Sequence, residues 1–92
     1  MKKYEIMYIL KALDEESLKA ANEKVQGVLT NNGATIVKVD EWGLREFAYP
    51  IDDEVKGYYY VMEVEAEEFA LNEFTRKGRH NPDLLRNLIT VK

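Results

Sequence analysis

The sequence predicts an α+β fold of four strands and two helices, on three observations. Apolar residues alternate with period two near the start of the chain and again from Gly57 to Ala66, as in strands with one face in a core. Apolar residues at helical spacing follow each of these stretches. Turn-forming residues stand between them, at Asn31-Asn32-Gly33, Asp52-Asp53-Glu54, Gly78 and Asn81-Pro82.

The first strand covers Lys3 to Leu10, with Tyr4, Ile6, Tyr8 and Leu10 on one side and Glu5, Met7 and Ile9 on the other. Asp14 then offers a helix N-cap. Glu15 and Glu16 fall in the first turn, where the helix dipole favours anions. Leu18, Ala21, Val25, Val28 and Leu29 continue at helical spacing to Asn31-Asn32-Gly33, the glycine being suited to a left-handed C-terminal position. Ala34 to Ile51 reads as a long strand with a bulge or bend near Glu41-Trp42-Gly43, and Pro50 argues against a central position for its end. A polar turn over Asp52-Asp53-Glu54 leads into a third strand from Gly57 to Ala66, giving a hairpin. Glu67 to about Lys77, with Phe69 or Ala70, Leu71 and Phe74 apolar, is a second and weaker helix ending near Gly78. Leu88 to Val91 is a last strand.

The order strand, helix, strand, strand, helix, strand is the split arrangement called ferredoxin-like. With right-handed crossovers, strands one and three lie in the middle of a four-stranded antiparallel sheet and both helices cover one face. The other face is left for a partner or for water. A chain of 92 residues is long enough for one core, so residues 1–92 are expected to be a single domain.

Composition narrows the function classes. Hydrophobic residues are 46% and charged residues 33% of the chain, the balance of a folded domain rather than a disordered one. Cysteine is absent, so neither a disulfide framework nor a thiolate metal cage is available, and the cytoplasm is the expected compartment. The apolar run Ile6 to Leu10 is too short for a signal core or a membrane span. The net charge of −4 argues against nucleic acid if taken alone. Its distribution says otherwise. From Thr75 to Lys92 five cations, Arg76, Lys77, Arg79, Arg86 and Lys92, face one acid, Asp83, making a basic segment on an acidic body.

Catalysis has little to work with. Ser17 is the only serine and His80 the only histidine; Ser17 in a first helical turn is suited to local hydrogen bonding, and His80 lacks triad partners. The run Asp52-Asp53-Glu54 lacks the spacing of a calcium loop, and no metal or cofactor is expected. No glycine-rich phosphate loop follows strand one, where Lys11-Ala12-Leu13-Asp14 stands. That argues against an acylphosphatase-type enzyme; a regulatory module binding a small molecule between two copies is the other alternative. Lys56-Gly57-Tyr58-Tyr59-Tyr60-Val61-Met62-Glu63 partly matches the aromatic strand of the RNA-recognition motif. That motif would turn Tyr58 and Tyr60 to RNA and bury Glu63 and Glu65, at a cost of several kcal/mol. The opposite phase, burying Tyr58, Tyr60, Met62, Val64 and Ala66, is expected instead, leaving Tyr59 as the one aromatic free to stack.

Several stretches resemble the bacterial small-subunit ribosomal protein six family: Lys3-Tyr4-Glu5-Ile6, Trp42-Gly43-Leu44-Arg45, Phe47-Ala48-Tyr49-Pro50-Ile51, Gly57-Tyr58 and Leu85-Arg86. The resemblance runs over essentially the whole chain, with Glu46, Gly78 and His80 as departures. It implies a ferredoxin-like protein of the small-subunit platform, bound to ribosomal RNA as a heterodimer with ribosomal protein eighteen, in the cytoplasm and without catalysis, membrane or small-molecule substrate. Arg45, Arg79 and Arg86 then face RNA phosphates or the partner. Trp42, Leu44 and Tyr49 shape the partner interface or pack the hairpin, and Tyr59 joins them. Lys2, Lys3, Arg76 and Lys77 are RNA-binding candidates from charge alone. Arg45 beside Glu46 could equally form a surface ion pair.

Overall fold

Six elements, β1 (Lys2–Lys11), α1 (Glu15–Thr30), β2 (Thr35–Ile51), β3 (Glu54–Ala66), α2 (Glu68–Gly78) and β4 (Leu84–Val91), follow the expected order in a computed structural model. The structure describes residues 2–51 and 54–92, so Asp52 and Asp53 of the expected turn lie outside the described residues. The strands form one antiparallel sheet in the order β2-β3-β1-β4, with β1 and β3 central. This is the ferredoxin-like arrangement.

Alternation in β1 puts Tyr4, Ile6, Tyr8 and Leu10 in the core, where Tyr60, Met62, Val64 and Ala66 of β3 meet Ala21, Val25 and Leu29 of α1 and Ala70, Leu71 and Phe74 of α2. Each fully buried aliphatic side chain contributes on the order of 1.5–3 kcal/mol. Tyr8 brings a polar atom into this core, and its hydroxyl donates to Asn22 Oδ1 at 2.9 Å, which offsets the desolvation. Its ring stacks on Tyr60 at 5.1 Å between centroids. Glu63 and Glu65 alternate away from the core residues of β3, so the phase required by the RNA-recognition motif is not the one adopted.

The helix boundaries follow from their caps. Asp14 Oδ2 accepts from the Ser17 backbone N–H at 3.3 Å, and Gly33 takes a φ of 84° after α1, where a side chain would be strained. α2 runs Glu68–Gly78 and ends at Gly78, as the sequence predicts; a Cβ there would lie 3.0 Å from Leu84 Cδ2, so this glycine also admits β4. Of the two alternatives Phe69 and Ala70, Ala70 is buried and Phe69 exposed.

β4 starts at Leu84, not Leu88. Asn81 folds the preceding turn, its Oδ1 accepting from the Asp83 N–H at 3.0 Å and its carbonyl from the Leu84 N–H at 3.2 Å. Leu84 then pairs with Leu10 and Arg86 with Ile9, leaving Leu85 as an extra residue. That bulge buries both leucines in sequence, which a period-two pattern does not show. In β2 similar register shifts fall at Val37 and Trp42, and Pro50 lies in the unpaired stretch between Glu46 and Ile51. An edge strand tolerates that missing donor.

Candidate nucleic-acid interface

The face of the sheet away from the helices is organised by register into rows across the strands. One row runs Gly43, Tyr59, Ile9 and Arg86; the next towards the hairpin runs Arg45, Gly57 and Lys11. In the opposite direction come Asp40, Val61, Met7 and Leu88, then Lys38, Glu63, Glu5 and Thr90. Its character therefore changes along the strands, from charged pairs through an apolar middle to cations.

At the first end the cations are neutralised. Lys92 Nζ lies 2.8 Å from Glu63 Oε1, Lys38 Nζ 3.6 Å from Asp40 Oδ2 and Lys3 Nζ 4.0 Å from Glu65 Oε1. The hydrogen bond from Lys92 lowers the Glu63 pKa and raises that of Lys92, which keeps both charged and mutually screened.

In the middle, Ile9 is only 3% exposed although it faces away from the helices. The cause is Gly57. A Cβ there would stand 2.9 Å from both Ile9 Cγ2 and Phe47 Cζ, so the missing side chain lets the Phe47 ring lie against Ile9. Phe47 also meets Tyr59 at 6.0 Å between centroids with the rings tilted. A small apolar layer thus fixes the hairpin to the sheet on this face.

At the other end stand Arg45, Lys11 and Arg86. Arg79 and Arg86 line one shallow concavity with Pro82, Leu85 and Asn87 where α2 passes into β4. None of these four cations makes an ion pair among the described residues. Arg45 does not pair with Glu46; its Cζ lies 5.8 Å from the centroid of the Trp42 ring, a cation–π geometry.

The seven cations proposed from sequence therefore separate. Arg45 and Arg86 stand at the same end of the sheet on opposite edge strands, with Arg79 beside Arg86, while Lys2 and Lys3 stand at the far end of β1, about 30 Å away by strand rise. Arg76 is held by Glu73 through two hydrogen bonds, at 2.7 and 3.2 Å, and Lys77 lines a groove between α1 and α2 with Glu23 and Lys24. Sequence reasoning missed Lys11; its odd position in β1, shared with Met7 and Ile9, was the available signal.

The expected partner-interface residues also divide. Trp42, 51% exposed, stands next to Tyr59 in the register, and Tyr49, 82% exposed, is on the hairpin beyond the end of β1. Leu44, also exposed, pairs with Tyr58, which packs on the core, so alternation sets Leu44 on the helix side. Val55 adds a further exposed apolar side chain to the hairpin.

The model of the family described as Ribosomal protein S6 matches residues 3–91. A solved 30S ribosomal protein S6 from Thermotoga maritima is similar in structure with a TM-score of 0.90 at 27% identity, over 99% of this chain and 87% of that one. With the βαββαβ order and the sheet topology in agreement, the chain belongs to the ribosomal protein S6 family, which is structural rather than catalytic.

Proposed function

We propose that this chain, as a single domain, is a structural constituent of the small ribosomal subunit in the cytoplasm, where it binds small-subunit ribosomal RNA together with ribosomal protein S18. The observation that carries the reading is that Arg45, Lys11 and Arg86 lie along one end of the open sheet face, spread from one edge strand to the other, with Arg79 beside Arg86 at the α2–β4 turn, all four without an ion pair among the described residues, while Lys3, Lys38 and Lys92 are neutralised elsewhere. Clustered cations release counterions from RNA and so supply affinity. Contacts of this kind fix position and register; specificity comes from the shape of an RNA junction and from the partner protein.

The chain carries −4 overall, so approach to RNA by the isolated protein is opposed by its acidic body. A basic partner removes that opposition and extends the positive surface. Tyr49 and Val55 on the hairpin beyond the end of β1 offer it apolar area.

Titration of a platform fragment of small-subunit ribosomal RNA with this chain, with S18 and with both tests the proposal. Tight, salt-sensitive binding that requires both proteins is expected. Absence of binding by the pair at low salt overturns it.

A further inference from the structure

We propose that the open space over Gly43, bordered by Trp42, Arg45 and Tyr59, is a binding site for one unpaired nucleobase of RNA, stacked on the Trp42 ring; this rests on the RNA reading above. The β2 bulge inserts Trp42 as an extra residue between Glu41 and Gly43. Gly43 takes a φ of 87°, and nothing lies within 4 Å of where its Cβ would stand. The surface beside an exposed indole is therefore left open, on the row that Tyr59 occupies.

The flanking side chains are held in place. Tyr59 leans on Phe47, and Arg45 is kept over the indole by the cation–π contact, leaving its charge unused by any carboxylate among the described residues. Of the acids nearest in sequence, Asp40 lies on the open face but is engaged by Lys38 at 3.6 Å, and Glu41 and Glu46 pair in register with Tyr60 and Lys56, which alternation places on the helix side. An aromatic ring, a guanidinium plane and the unpaired cation of Lys11, two strands away in the row of Arg45, together suit a base with its phosphates. The same charges would repel a basic protein segment.

The chain has one tryptophan, so 5-fluorotryptophan incorporated into this chain alone gives one ¹⁹F resonance. That resonance is followed on adding S18, then the platform RNA fragment, with a fully paired RNA duplex of equal length as control. A shift caused by the fragment and not by the duplex is expected, with Trp42→Leu weakening fragment binding roughly tenfold and Trp42→Phe retaining most of the affinity. Thermal unfolding of both variants checks that the fold is kept. Fragment binding with an unmoved resonance and unchanged Trp42→Leu affinity overturns the base site and leaves the RNA reading standing. A shift produced by S18, with none added by RNA, also overturns it and assigns Trp42 to the protein interface. Failure of the fragment to bind at all overturns the RNA reading itself.

Discussion

Gly57 shows how one absent side chain decides the shape of the open face. A Cβ there would stand 2.8 Å from the Leu10 carbonyl oxygen, which as backbone cannot yield, as well as against Ile9 and Phe47. Gly57→Ala is expected to destabilise by about 1–3 kcal/mol, read as a lower urea midpoint at constant m-value, and to loosen the Phe47–Tyr59 contact. Tyr8 gives a pH signature. Burial pushes its hydroxyl up to about 12, against an ordinary value near 10. Below about pH 10 it is protonated in the folded and unfolded chain alike. Between about pH 10 and 12 only the unfolded chain ionises, so stability falls across that window, by roughly 2–3 kcal/mol from this residue. Tyr60, also raised by burial, adds in the same direction. Tyr8→Phe is expected to flatten the alkaline slope of the unfolding free energy, while leaving Asn22 Oδ1 without its donor.

At the scale of elements, the strands and α1 were legible because each repeats one signal several times. Four core residues in β1, the Asp14 cap and the Gly33 exit all agree, and the structure keeps each. What escaped reading is where a bulge breaks the period. Leu84 and Leu85 are adjacent and both buried, a pattern invisible to alternation, so β4 was read four residues short. α2 does end at Gly78, and packing adds a second reason for a glycine there, the close approach of Leu84. Asp14→Ala is expected to lower the thermal midpoint by freeing the α1 N-terminus. The Asp14 carboxyl is held below its ordinary value by its hydrogen bonds with Ser17. Its contribution is present above about pH 4 and is lost as pH falls through the lowered pKa. The acid limb of stability in Asp14→Ala should therefore be shallower than in the parent protein.

For the molecule as a whole, net charge misleads and arrangement informs. The sequence placed a basic segment near the C-terminus and proposed seven cations, but only folding shows that Arg86, with Arg79 beside it, lies at the same end of the sheet as Lys11 and Arg45 from distant parts of the chain. Pairing across strands is a long-range property, so the odd position of Lys11 in β1 gave its face but not its neighbours on the other strands. The same folding neutralises Lys3 and Arg76. The central claim, that RNA meets the cationic end of the open face, is tested most directly by comparing two double variants in complex with S18. Arg45→Ala/Arg86→Ala is to be measured against Lys2→Ala/Lys3→Ala for binding to the platform RNA fragment over a range of salt concentrations. The account predicts that the arginine pair weakens binding and reduces the salt slope by about 1–2, while the lysine pair leaves both nearly unchanged. An equal loss from both variants, or a loss confined to the lysine pair, would contradict it.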